Sequence, residues 1–90
     1  MSKHIILQFH ADWCGPCRVV TPILREIVEE SRGTLSLVRT DVDKYPTDAA
    51  KWEVKGIPTV IHLDEEGNEI ARMVGAQPKT LLKKNLKLAG

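Results

Sequence analysis

Apolar residues follow two rhythms along the 90-residue chain, and the switches between them mark its elements. Ile5-Ile6-Leu7 is a continuous apolar run, the mark of a strand covered on both faces, and predicts a central strand over about Lys3 to His10. Val19, Val20, Ile23, Leu24, Ile27 and Val28 then recur as adjacent pairs every four residues, the stripe of an amphipathic helix from about Gly15 to Arg32. Pro22 falls inside that helix and should kink it, and Gly33 is the expected residue just past its end. Leu35, Leu37, Val38 and Val42 predict a second strand, which a right-handed crossover would set parallel to the first. Pro46-Thr47-Asp48 opens a short helix through about Val54, stopped by Gly56. Thr59 to Leu63 and Glu69 to Val74 predict two more strands, joined by the hairpin turn Asp64-Glu65-Glu66-Gly67-Asn68. Gln77-Pro78 starts a last helix, expected to pack Leu81, Leu82, Leu86 and Ala89 and to turn Lys79, Lys83, Lys84 and Lys87 outward. His4 and His62 read as strand residues without a chemical role, and Tyr45 and Trp52 as packing residues.

This alternation of strands and helices is an α/β pattern, and its length fits a single domain over residues 1–90. A domain of this size buries roughly 60 to 65% of its unfolded surface, and 42% hydrophobic residues suffice for one core. The formal net charge of +1 gives no large field of either sign, so partners are expected to be recognised by shape, with neither nucleic acid nor a membrane surface among them. Met1-Ser2-Lys3-His4 leads directly into the first strand, and the apolar run ends at Gln8, too soon for a leader or a span. The expectation is a cytoplasmic monomer.

Both cysteines, Cys14 and Cys17, lie where the first strand hands over to the first helix. In a reducing compartment, two cysteines so spaced point to catalysis or metal binding rather than to a structural staple. A zinc site needs two further ligands, and His4, His10 and His62 offer the only imidazoles, so no metal is expected. At a helix N-terminus the first N–H groups lack partners and the dipole is positive, which stabilises a thiolate. Cys14 is therefore the expected nucleophile. Cys17, one turn on and shielded, is the expected resolving thiol, and Pro16 holds the intervening backbone near its helical value.

Trp13-Cys14-Gly15-Pro16-Cys17 resembles the active-site signature of the thioredoxin family. Phe9-x-Ala11, Pro22, Asp43, Gly56-Ile57-Pro58-Thr59, Gly67 and Val74-Gly75-Ala76 match further landmarks of that family in order, so the resemblance covers nearly the whole chain. It implies a minimal thioredoxin fold: a four-stranded mixed sheet ordered 2-1-3-4 with two helices on one face and one on the other. Many members carry a further strand and helix ahead of the active-site strand, and this sequence resembles a short member without them. The resemblance also implies a cis Ile57-Pro58 bond, whose backbone pairs with substrate, and an apolar substrate-binding rim of Trp13, Gly15, Pro16, Ile57, Pro58, Gly75 and Ala76.

The function implied is reduction of protein disulfides, with a redox-active Cys14–Cys17 disulfide, no bound cofactor, and electrons from NADPH through a flavoprotein thioredoxin reductase. Two rivals are a glutathione-linked, glutaredoxin-like enzyme and a thioredoxin-fold binding subunit whose redox chemistry is incidental. One departure stands out. Six residues before the first cysteine the family usually has a buried Asp that helps move the proton of the resolving thiol, and here that residue is Gln8. Arg39 stands where the family often has a Lys beside that Asp, and His10, on the same strand face as Gln8, is the candidate for proton transfer instead; the alternative is that Gln8 simply fills the space and water carries the proton.

Overall fold

The structure, a computed structural model, describes residues 3–88. Its elements run β1 (His4–His10), α1 (Gly15–Glu30), β2 (Leu35–Asp41), α2 (Pro46–Lys51), β3 (Thr59–Leu63), β4 (Glu69–Val74) and α3 (Lys79–Asn85). The sheet order is β2-β1-β3-β4. β1 lies parallel to β2 and antiparallel to β3, and β3 and β4 form the antiparallel hairpin.

β1 is central, and the alternation of its side chains feeds two cores. Ile6 packs with Val20, Leu24 and Ile27 of α1 and with Leu82 and Leu86 at α3. Leu7 and Phe9 point the other way and pack with Ile61 and Leu63, under Ala49 of α2 and Trp52. Two helices thus cover one face and one covers the other, as the resemblance implies.

Several expectations need correction. Val19 of the predicted stripe is 59% exposed, and Leu81 of the last helix is 45% exposed. Only the i, i+4 pair Leu82 and Leu86 points inward there, because adjacent helix positions diverge by about 100°. Ala89 lies outside the described residues. α1 continues through Pro22, which sits on its exposed side, and ends at Glu30. There the Ser31 hydroxyl donates to the Val28 carbonyl and accepts from the Leu35 N–H, which diverts the backbone from the helix. The first left-handed residue beyond α1 is Arg32 (φ 53°), followed by Gly33 (φ 88°). α2 likewise stops at Lys51, short of Val54, since Glu53 is left-handed (φ 54°). The N–H groups of Glu53 and Val54 return to the carbonyls of Ala50 and Ala49, and Lys87 and Leu88 close α3 in the same way onto Lys84 and Lys83.

Candidate active site

The C-terminal end of β1 delivers the chain into a tight turn, where the Cys14 N–H donates to the Ala11 carbonyl at 3.1 Å. Cys14 keeps an extended backbone (φ −86°, ψ 103°) and caps α1, with Gly15 and Pro16 as its first helical residues. The capping acceptor is the Cys14 sulfur, which receives the Cys17 N–H at 3.2 Å. The two cysteines are disulfide-bonded with their Cα atoms 5.3 Å apart. Both are 3% exposed, so burial does not separate their roles in the oxidised state. Their positions differ: Cys14 Sγ sits at the N-cap, where the unpaired N–H groups and the helix dipole converge and favour negative charge.

Ala11, Cys14 and Cys17 form one small cluster, with Val42 and Ile57 packed on it. The Ile57–Pro58 bond is cis, and the Pro58 carbonyl accepts from the Gly75 N–H at 2.8 Å. Gly75 holds φ 94°, a conformation that L side chains rarely adopt. Ala76 follows it and is exposed. Trp13 is 70% exposed, and its indole N–H donates to Asp43 Oδ2 at 2.9 Å. Asp43 is fixed in turn, since Asp41 Oδ1 accepts from the Asp43 N–H. The structure therefore gathers Ile57 against the dithiol and links Pro58 to Gly75, while Trp13 is held from the β2 end. That Asp43 bond was not anticipated, because it joins residues thirty positions apart across two loops.

Behind the dithiol, Gln8 is wholly buried. Its amide donates to Thr21 Oγ1 at 2.8 Å, its carbonyl accepts from Arg39 Nε at 3.1 Å, and the Thr21 hydroxyl donates to the Cys17 carbonyl at 2.9 Å. A cleft of about 270 Å³ opens beside this chain, lined by His10, Ala11, Asp12, Cys17, Arg18 and Arg39. His10 thus shares a cavity with Cys17, and no hydrogen bond joins the two. Burial, then the nearby Arg39 guanidinium, pushes the His10 imidazole below its ordinary value of 6.5, against the opposing pull of Asp41 and Asp12. Among the described residues, no three His, Cys, Asp or Glu side chains converge as a metal site, and no helix is long and apolar enough to cross a membrane.

Comparison with known proteins agrees with this geometry. The thioredoxin family model matches residues 1–88. Thioredoxin of Staphylococcus aureus is 40% identical over 74 residues, which cover 82% of this chain and 70% of that protein. The bifunctional thioredoxin reductase/thioredoxin of Mycobacterium leprae is 41% identical over 85 residues, 94% of this chain but 18% of the length of that protein. Among solved structures, a chain from work on thiol resolution in yeast mitochondrial 1-Cys peroxiredoxin via glutathione/thioredoxin systems superposes with a TM-score of 0.81 at 30% identity, covering 96% of this chain and 79% of its own. With its capped dithiol and its 2-1-3-4 sheet, the chain belongs to the thioredoxin family of thiol–disulfide oxidoreductases.

Proposed function

We propose that residues 1–90 act as one domain that reduces protein disulfides, with Cys14 as nucleophile and Cys17 as resolving thiol. The observation that carries this reading is the Cys14 sulfur at the N-cap of α1, accepting the Cys17 N–H. Reduced Cys14 attacks a substrate disulfide as the thiolate and forms a mixed disulfide. Cys17 then attacks Cys14 Sγ, closes the intramolecular disulfide and releases the substrate thiol. Trp13, Gly15, Pro16, Ile57, Pro58, Gly75 and Ala76 form the rim against which an extended substrate segment lies. The reaction is electron transport between thiols in the cytoplasm, by a monomer. The fusion of a reductase to a thioredoxin in the M. leprae relative supports a flavoprotein thioredoxin reductase, using NADPH, as the electron donor.

The trapping experiment tests the roles. Cys17→Ser should accumulate a mixed disulfide through Cys14, and Cys14→Ser should accumulate little. Equal trapping by both variants in mass spectrometry would reject the assignment. A turnover assay with NADPH and thioredoxin reductase, against NADPH with glutathione and its reductase, identifies the donor; activity with glutathione alone would instead support the glutaredoxin-like reading.

His10 receives the Cys17 proton through the shared cleft in this reading. An imidazole accepts a proton only when neutral, so the resolving rate should fall as pH drops through the His10 value. Because that value is lowered, the acid limb belongs below 6.5 rather than around it. Single-turnover rates from pH 5 to 9 should lose that limb in His10→Phe; a limb that survives would remove His10 from the mechanism.

A further inference from the structure

The Arg39–Gln8–Thr21–Cys17 hydrogen bonds all point the same way, each group donating to the next from β2 towards α1. Bonds aligned in this manner polarise one another in a low-dielectric interior and fix the orientation of every member. A buried amide suits the middle of such a chain, because it accepts at one end and donates at the other. An ionised carboxylate at position 8 would accept from Arg39 but have no proton for Thr21.

The second observation concerns charge. Arg39 makes no ion pair among the described residues, and the partner that orients it is neutral. Its unit positive charge is therefore left to act on its surroundings, and the cleft that it lines also reaches Cys17. We infer that Arg39, oriented by Gln8 and Thr21, is a positioning residue of the resolving step, its guanidinium favouring the Cys17 thiolate so that no carboxylate is needed at position 8. This inference rests on the two-cysteine reading above.

In that step the Cys17 thiol gives its proton to the neutral His10 imidazole, which lines the same cleft, and its sulfur bonds to Cys14 Sγ. The bond between Cys14 and the substrate sulfur breaks, and its electron pair leaves on that sulfur, which takes a proton from solvent. Two cysteine sulfurs end oxidised to a disulfide, and the substrate disulfide ends as two thiols. Other charged groups line the same cleft, His10 at the end of β1, Asp12 before α1 and Arg18 on α1, while Asp41 and Lys44, at and beyond the end of β2, act on His10 from outside its lining. Asp12 and Asp41 oppose the effect. Arg39 is itself exposed, so salt should screen it.

The test titrates Cys17 by its thiolate absorbance in the Cys14→Ser protein, with Arg39 intact, Arg39→Gln or Arg39→Lys. At low salt Arg39→Gln should move the titration up by about half a unit, or about threefold less thiolate at neutral pH, and Arg39→Lys should keep most of the intact behaviour. High salt should shrink the difference. Gln8→Leu, which releases the guanidinium, should fall between intact protein and Arg39→Gln. An unmoved titration in Arg39→Gln overturns the inference, as does an equal shift in Arg39→Lys, or a shift that comes with loss of the near-UV dichroism of the folded state. No substrate takes part in this titration, so its outcome stands apart from the trapping experiment that tests the two-cysteine reading.

Discussion

Two polar side chains are buried in the same apolar layer, beneath α1 and α3, and they do different work. Gln8 stands opposite Val60 and His62 opposite Ile6 across the β1–β3 pair, Gln8 on the side of the disulfide and His62 on the side away from it. The partners of Gln8 lead to Cys17, the redox centre. Those of His62 lead to the chain's periphery. Its Nδ1–H donates to the Leu86 carbonyl just beyond α3 at 2.7 Å, its Nε2 meets His4 Nδ1 at 2.8 Å, and His4 Nε2 reaches Glu65 in the hairpin turn at 2.9 Å. Among the described residues no buried side-chain polar atom lacks a partner, as low-dielectric packing demands. One layer therefore holds two polar insertions with different partners: one is bonded to Arg39 and, through Thr21, to the Cys17 carbonyl, and the other ties α3, the start of β1 and the hairpin into one body.

The largest effect should come from breaking the peripheral tie. His62→Leu leaves the carbonyl of the buried Leu86 without its donor and His4 without its partner, and should destabilise by about 1 to 3 kcal/mol in urea unfolding. Disulfide reduction by the folded protein should not change. A slowed reduction well below the unfolding transition would show that the two insertions are coupled, and the comparison would fail.

Gln8→Leu should show the reverse balance. Thr21 keeps its bond to the Cys17 carbonyl and Arg39 is rehydrated at the surface, so the stability loss should be smaller, about 1 kcal/mol. Resolution of the mixed disulfide should slow nonetheless. If unfolding shows the larger cost for Gln8→Leu and resolution is unaffected, Gln8 is packing rather than part of the chemistry.

Legibility in the sequence divides along the same line. Periodicity tells which residues share a face, so the bounds of β3 and β4 are legible to the residue, and the strand-to-helix position of Cys14 and Cys17 follows from pattern alone. The sheet order, the cis bond and the meaning of Gln8 came from the family motifs. Partner identity was out of reach: His62 meets Leu86 and His4 from 24 and 58 positions away, and no local spacing encodes that. Helix ends are not legible from periodicity here, because Arg32, Glu53 and Lys87 take the left-handed conformation for which glycine is the usual cue. The lysine stripe is not wholly turned to solvent, since Lys79 turns back to Glu26 and Glu30 of α1.

That clamp supplies the smallest and last test, because it ties α3 to α1 over the same layer from outside. The hydrogen bond from Lys79 holds the Glu30 carboxyl below its ordinary 4.5, and the hydrogen bonds to Glu26 and Glu30 hold the Lys79 ammonium above its ordinary 10.5. A depressed carboxylate contributes stability that is present above its unfolded value and lost as pH falls through the folded one. A raised ammonium contributes stability that is present below its unfolded value and lost as pH rises through the folded one. The contribution is thus whole at neutral pH and fades in acid and in strong alkali. All three groups are solvent-accessible, where water and salt screen such pairs, so the effect should be slight. The urea midpoint of Lys79→Met should fall slightly below that of the unaltered protein at pH 7, and the two should converge below pH 4.5. A neutral-pH loss as large as that of His62→Leu would mean that surface charge, and not the buried imidazole, holds α3 in place.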